Sequence, residues 1–211
     1  MIVNIVCGGP IKKLDLTYFE AANVYNIGVD RGSIQLLQQG ITPHACIGDF
    51  DSITKDELEY VMAHCKDVRV LKPEKDETDT EVAIEYAVSL NCDEIRLFGT
   101  LGGRFDHTMA NLKLLARFAS SLVKLTLYDE QNTVTILNPG HYVFDRLPYV
   151  YLSFFAYEQD VTGLTFKNLK YPLQNYHLKQ DDIRCVSNEM LDEVFEIKFD
   201  SGQLLMINSH D

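Results

Sequence analysis

Ala45-Cys46-Ile47-Gly48-Asp49-Phe50-Asp51-Ser52-Ile53-Thr54-Lys55-Asp56-Glu57 joins three kinds of segment. Residues 45–47 are a short apolar run of strand type, and 48–52 are a loop of glycine and carboxylates. Thr54 and Glu57 then form a capping box, in which hydroxyl and carboxylate each satisfy a backbone N–H orphaned at a helix start. Strand, polar loop and helix start make half of a βαβ unit. The flanking sequence repeats the pattern, with β-type runs at 2–7, 24–29, 45–47, 68–71, 94–98 and 123–128 alternating with helix-like stretches. Thr78-Asp79-Thr80-Glu81 offers a second capping box, followed by Val82, Ala83, Tyr86, Ala87 and Leu90 at a spacing near 3.6. Gly40 after 33–39 reads as a helix stop. The expectation is an α/β domain on a parallel sheet.

Beyond Tyr128 the helical period disappears. Short β-rich runs are punctuated by Asn138-Pro139-Gly140, Thr162-Gly163 and Asp200-Ser201-Gly202. This predicts an antiparallel β domain, with hairpins joining 133–137 to 141–144 and 193–199 to 203–208. Residues 150–156 read as a more buried strand. The apolar run 149–155 suits either the core of that domain or an interface. The boundary falls near 129–132, giving domains 1–130 and 131–211.

The chain has 211 residues, with 19 Lys and Arg against 31 Asp and Glu, a formal charge of −12. Nucleic acid is held mainly by cations neutralising phosphates, so this balance, without a basic stripe, argues against a nucleic-acid partner. The five cysteines, Cys7, Cys46, Cys65, Cys92 and Cys185, form no CxxC pair and read as buried apolar residues in a reducing compartment. The start, MIVNIVCGG, lacks the basic and long apolar stretches of a signal peptide, and no later run is long enough to span a bilayer. A cytoplasmic protein without a membrane partner is expected.

In an open parallel sheet, ligands bind beyond the carboxyl ends of the strands. The first five predicted strands are followed in turn by Gly8-Gly9-Pro10, by Asp30-Arg31-Gly32, by Gly48 to Ser52, by Asp76-Glu77-Thr78-Asp79, and by Gly99 with Gly102-Gly103-Arg104-Phe105-Asp106-His107. Asp51 and Ser52 by themselves could simply begin a helix, and Asp76 and Asp79 also fit a helix-start preference for negative charge. Together, however, Asp30, Asp49, Asp51, Asp76 and Asp79 on one edge would repel strongly unless a cation shared them. Oxygen ligands without His or Cys select a hard ion, and Mg²⁺ usually combines a few carboxylates with substrate phosphates. Gly102-Gly103 before a helix start offers free N–H groups to a phosphate, and Arg104 adds a bidentate donor. Asp106 and His107 either orient this loop, contact ligand, or merely cap the helix. No P-loop and no Gly-x-Gly-x-x-Gly is present.

Three motifs in this order, Gly48-Asp49-Phe50-Asp51-Ser52, Asp76-Glu77-Thr78-Asp79-Thr80-Glu81, and Gly99 to His107 with Asn111, resemble thiamine pyrophosphokinases. The likeness continues through Gly163-Leu164 and Lys170-Tyr171-Pro172-Leu173 to Val186-Ser187-Asn188-Glu189, and so covers essentially the whole chain. It implies a Rossmann-like catalytic α/β domain followed by an antiparallel β-sandwich, in a homodimer with active sites between subunits. The implied reaction moves the terminal diphosphate of ATP to the hydroxyethyl oxygen of thiamine, giving thiamine diphosphate and AMP with Mg²⁺. The resemblance makes Asp30, Asp49, Asp51 and Asp76 metal candidates, with Asp51, Asp76 and Arg104 catalytic. Gly8, Gly9, Asp30, Arg31, Gly102, Gly103, Arg104, Asp106 and His107 fall to the nucleotide. Asp79, Tyr171, Ser187 and Asn188 fall to thiamine. Some members carry Trp where Tyr171 stands, and this chain has no Trp; Tyr can still stack on an aromatic ring. Asp76 or Asp51 is expected to accept the hydroxyl proton.

Two other readings use the same residues. A Mg²⁺-dependent phosphohydrolase or nucleotidyltransferase would give ADP or phosphate where diphosphate transfer gives AMP. A silent nucleotide or thiamine sensor would bind without turnover.

Overall fold

In the computed structural model, which describes residues 1–119 and 123–211, the chain divides into two compact units, Met1–Asp129 and Glu130–Asp211. The first contains six parallel strands, β1 (Ile2–Val6), β2 (Val24–Val29), β3 (Ala45–Gly48), β4 (Asp67–Val70), β5 (Glu94–Phe98) and β6 (Lys124–Tyr128). They lie in the order β4-β3-β2-β1-β5-β6. The strand runs predicted at 24–29 and 94–98 match end for end, and the other four shift by a residue at one end or both. The helices are α1 (Arg31–Gln38), α2 (Lys55–His64), α3 (Asp79–Ser89) and α4 (Phe105–Phe118).

The helices start where the sequence caps them. At α2 the box is complete, with Glu57 N–H donating to Thr54 Oγ1 (3.2 Å) and Thr54 N–H to Glu57 Oε2 (2.7 Å). At α3 only half of the expected box forms, Glu81 N–H donating to Thr78 Oγ1 (3.2 Å). The Glu81 carboxylate is instead drawn to Arg117 of α4, a charged partner that outcompetes the backbone amide. Leu36 of α1 packs with Val6 and Phe98 in one apolar cluster, while Ile34 packs with Cys46, Phe50 and Val61 in another.

A buried polar pair sets the register of the central strands. Asn4 lies opposite Asn26, and its Nδ2 donates to Asn26 Oδ1 (3.1 Å) and to Tyr18 O (2.8 Å). Asn26 Nδ2 donates to Phe19 O (3.1 Å). A slip of one residue would turn both amides to the other face and leave buried donors unpaired, at about 1–3 kcal/mol each. The crossovers run from β1 to β4 in one direction and then return to β5 beside β1. The β1–β5 crevice is therefore the point at which strand order reverses, where such sheets bind ligands.

The second unit is antiparallel and, among the described residues, has no helix. Its strands are β7 (Asn132–Leu137), β8 (Gly140–Asp145), β9 (Tyr151–Lys167), β10 (Leu173–Leu178), β11 (Val194–Phe199) and β12 (Ser201–Ser209). The two expected hairpins do not form. β7 pairs with β12, β12 with β9, and β8 with β11, although β7 and β8 are joined by a tight turn and β11 and β12 by Asp200 alone. Each short turn hands the chain from one set of paired strands to the other. The 17-residue β9 serves both sets: Tyr151–Tyr157 lies along β12, and the stretch from Val161 onward pairs with β10 and β11. Between these halves Glu158 takes a positive φ of 62° and the register with β12 breaks. Leu152 and Phe154, from the run that suited core or interface, join Phe195, Ile197 and Phe199 of β11 and Leu204 and Met206 of β12 in one buried cluster. The five cysteines are free and buried, and no described helix is long and apolar enough to cross a membrane.

Candidate active site

Beyond the ends of β1 and β5 the backbones stay in contact, with Cys7 N–H donating to Phe98 O (2.8 Å) and Gly9 N–H to Gly99 O (3.0 Å). A Cβ at Gly9 would fall 2.2 Å from Gly99 O, and one at Gly99 (φ +66°) 2.5 Å from Cys7 O. Only glycines let these loops close so tightly. They line a cleft of roughly 620 Å³ at the reversal of strand order.

The carboxylates enter from β2, β3 and α3. Asp30 follows β2 with φ 48°, and its Oδ1 accepts from Phe50 N–H (3.1 Å). Any side chain at Gly48 would collide with that carboxylate, since a Cβ there lies 1.9 Å from Asp30 Oδ1. Phe50 also has a positive φ (58°), and its buried ring packs with Ile34 and Val61. Apolar burial thus holds a sparsely populated backbone conformation that aims Asp49 toward Asp30. Asp79, the first residue of α3, completes a trio with one oxygen each from Asp30, Asp49 and Asp79 within 4.8 Å of one another.

Three converging carboxylates strain the electrostatics. Burial, then the charge of Asp79, pushes the Asp30 carboxyl up to about 7, against the Phe50 N–H bond, with Asp49 adding to the rise. Lys75, in the loop before the Thr78 cap, places Nζ 2.7 Å from Asp79 Oδ1. Burial opposes the Lys75 charge, but Asp79, with Asp49 and Asp30, outweighs it and raises the ammonium pKa. The donor set is all oxygen, and a six-coordinate Mg²⁺ holds cis and trans oxygens about 3–4 Å apart. Closing the trio onto such an ion needs only a small contraction, so these residues fit the hard cation expected from the sequence.

The facing wall is the Gly102-Gly103 loop and the start of α4. Arg104 is the N-cap residue of α4 and makes no side-chain cap. Its guanidinium instead forks onto Asp106 (2.5 and 3.2 Å), which holds the Asp106 carboxyl below the usual range. The α4 N-terminus brings its anion-attracting dipole to the cleft, where Arg104 and His107 are lining residues, although the His107 N–H is taken by Asp106 Oδ1 (3.0 Å). Asn111 Nδ2 donates to Thr100 O (3.0 Å) and fixes the loop from behind. Arg31 reaches from the start of α1 to Ser52 O, tying the Asp49–Ser52 loop to β2. The Cys7 thiol lies 3.4 Å from Thr80 Oγ1, and burial pushes it up to about 12, so it stays neutral.

Of the residues expected from sequence, Gly8, Gly9, Asp30, Arg31, Asp49, Asp51, Asp79, Gly102, Gly103, Arg104 and His107 all line the cleft. Asp51 lies outside the trio and is exposed, its N–H donating to Asp49 Oδ1 (3.1 Å). Asp76 is an exposed loop residue outside the lining, because it precedes the Thr78 cap that fixes Asp79 at the cleft. Asp106 reaches the cleft through Arg104. Tyr171, Ser187 and Asn188 belong to the second unit. Tyr171 is exposed; Ser187 is exposed with φ 56°; Asn188 is buried, its carboxamide bonded to the Tyr171 backbone. Sequence reasoning missed Lys75 and Thr80. Lys75 lies in the loop before α3, where no helical spacing ties it to Asp79.

Comparison with known proteins agrees in both units. Residues 17–127 match the family model of the thiamin pyrophosphokinase catalytic domain, and residues 140–204 match that of the thiamin pyrophosphokinase vitamin B1 binding domain. Thiamine pyrophosphokinase of Bacillus subtilis is 37% identical over 99% of each chain. The crystal structure of thiamine pyrophosphokinase from Bacillus subtilis matches over 100% of each chain with a TM-score of 0.94. That of thiamin pyrophosphokinase from Geobacillus thermodenitrificans, also 37% identical, matches with 0.91 over 100% of this chain and 98% of the other. With both domain models matched in order and full-length identity above a third, the chain belongs to the thiamin pyrophosphokinase family.

Proposed function

We propose that this chain, a thiamine pyrophosphokinase by family, transfers the terminal diphosphate of ATP to the hydroxyethyl oxygen of thiamine, releasing AMP, and that it requires Mg²⁺. The observation that carries the reading is the Asp30–Asp49–Asp79 trio, facing the α4 N-terminus and Arg104 across one cleft. Mg²⁺ held there would supply positive charge to neutralise the triphosphate. The chain's own residues do the rest. Gly8, Gly9, Gly102 and Gly103 let backbone approach the phosphates, and Arg104, released from Asp106, forks onto phosphate oxygens. Asp106 pre-orients that guanidinium. Asp51, lining the cleft outside the trio, accepts the proton of the attacking hydroxyl.

The same reading extends to architecture. The first unit is taken as a Rossmann-like nucleotide domain and the second as a β-sandwich, a view supported by β9 serving two sets of strands around one core. Tyr171 and Ser187 are assigned to the thiamine side, and the chain to a homodimer, on the strength of the family resemblance. A cytoplasmic location is supported by five free, buried cysteines.

The test is a product assay with ATP, Mg²⁺ and thiamine. AMP and thiamine diphosphate in equal amounts, dependent on Mg²⁺ and lost in Asp49→Ala, are expected. ADP or phosphate without thiamine diphosphate would sink the transfer assignment and favour a hydrolase.

A further inference from the structure

We infer that Asn188 is a positioning residue that clamps the backbone of Tyr171, and that it acts on thiamine only through that ring. The inference rests on the proposed reading of Tyr171 as a contact to thiamine. Asn188 is 2% exposed and Tyr171 is 57% exposed. The carboxamide of Asn188 grips the Tyr171 peptide at two points, Nδ2 donating to Tyr171 O (2.9 Å) and Oδ1 accepting from Tyr171 N–H (2.9 Å). The same Oδ1 accepts from Glu189 N–H (2.9 Å). The amide thus imitates a strand neighbour, and little of its bonding capacity is left for a ligand.

The clamp is itself fixed. Asn188 exchanges both backbone bonds with Leu152 of β9 (2.8 Å each), and Leu152 is wholly buried in the core. Ser187 enters with a left-handed φ of 56°, and its N–H donates to Ser153 Oγ (3.0 Å), which turns the chain so that Asn188 faces inward. On either side the two segments are laced together. Lys170 N–H donates to Glu189 O (2.9 Å), Leu191 N–H to Asn168 O (3.0 Å), and Lys170 Nζ pairs with Glu189 Oε1 (2.6 Å). Lys170 also lies over the Tyr171 ring, Nζ to centroid 5.7 Å. With the Tyr171 backbone fixed this way only the side-chain rotamer is left to be chosen on binding, so binding loses less conformational freedom.

The chemistry separates the clamp from a direct contact. Asn188→Ala removes both grips, whereas Asn188→Asp keeps the acceptor for the two N–H groups and strands Tyr171 O. Both substitutions should weaken thiamine binding by calorimetry and raise thiamine KM, about tenfold for Ala and less for Asp, with kcat and the KM for ATP within about twofold. Tyr171→Ala should raise thiamine KM at least as much, and Asn188→Ala added to Tyr171→Ala should change it no further. Multiplying effects in the double variant would overturn the inference, as would an unchanged thiamine KM in both Asn188 variants, or equal losses in kcat and both KM values. If Tyr171→Ala leaves thiamine binding intact, the platform reading falls and this inference with it. Should the Ala variant fail to fold, the Asp variant alone decides, by the same split between thiamine and ATP.

Discussion

The two units differ in how their charged side chains are arranged. Around the cleft of the first, three carboxylates crowd together, one is held partly protonated near neutrality, and Asp30 and Phe50 adopt left-handed φ values. In the second, several carboxylates have a basic side chain beside them: Glu189 has Lys170, Asp160 has His177, and Glu196 has Lys167 and His141. The first unit stores imbalance that a polyphosphate and its cation would relieve. The pairs named in the second need no such partner. A ligand should therefore change the first unit more than the second.

The sharpest way to break that contrast is to empty the trio. Asp49→Ala should lower kcat at least about a hundredfold in a steady-state assay, with thiamine binding by calorimetry nearly unchanged. A comparable loss of thiamine binding would mean that the two halves of the chemistry are not separable.

Arg104→Ala should cost about tenfold to a hundredfold in kcat/KM for ATP, with Arg104→Lys intermediate because a point charge replaces a fork. Asp106→Asn, which loosens the pre-oriented guanidinium, should fall between wild type and Arg104→Ala in the same assay. Equal defects in Asp106→Asn and Arg104→Ala would make Asp106 more than an orienting group.

The stored imbalance predicts a pH dependence. The Asp30 carboxyl is raised to about 7 from an ordinary value near 4, so the folded protein holds a proton that the unfolded chain has released. That stabilisation is full below pH 4 and is lost as pH rises through 7. Thermal melts in chelator should therefore show Tm falling between pH 5 and 8. Asp30→Asn should flatten the slope, and millimolar Mg²⁺ should reverse it. A slope unchanged in Asp30→Asn would move its origin elsewhere.

Lys75→Met should raise the Mg²⁺ concentration needed for half-maximal activity by a few fold, because Asp79 loses the partner that orients it. Smallest of all, Thr54→Ala should cost about 1 kcal/mol in denaturant melts and leave the kinetics alone, since the α2 cap lies outside the trio. An effect on kcat there would show that the Asp49–Ser52 loop depends on the helix that follows it.

Legibility in the sequence divided between local features and those set by distant parts of the chain. Strands such as 24–29 and 94–98 were readable because short β-type runs rich in Val, Ile, Leu, Phe and Tyr recur between helix-like stretches, and helix starts were readable because caps are local chemistry. Asp49 and Gly9 could be placed for the same reason, each lying just past a strand end. Which of Asp76 and Asp79 lines the cleft could not be read, because it depends on the residue at which Thr78 starts the helix. The pairing of β7 with β12 was equally hidden. A turn as short as Asn138-Pro139 is consistent with a hairpin by length, and only the packing of β9 against both sets of strands decides otherwise.

The position of β12 between β7 and β9 also bears on synthesis. Its register joins Asn132 to Ser209 and Tyr151 to Ser209, so the middle of that strand set is filled by residues made after both of its neighbours. On the ribosome, the parallel sheet has all its strands once residue 128 has emerged, whereas β7 and the first half of β9 wait with unpaired edges until residue 209 follows. During that interval the nascent β unit offers strand edges to which another chain could pair, and a ribosome stalled within β12 would expose them longest.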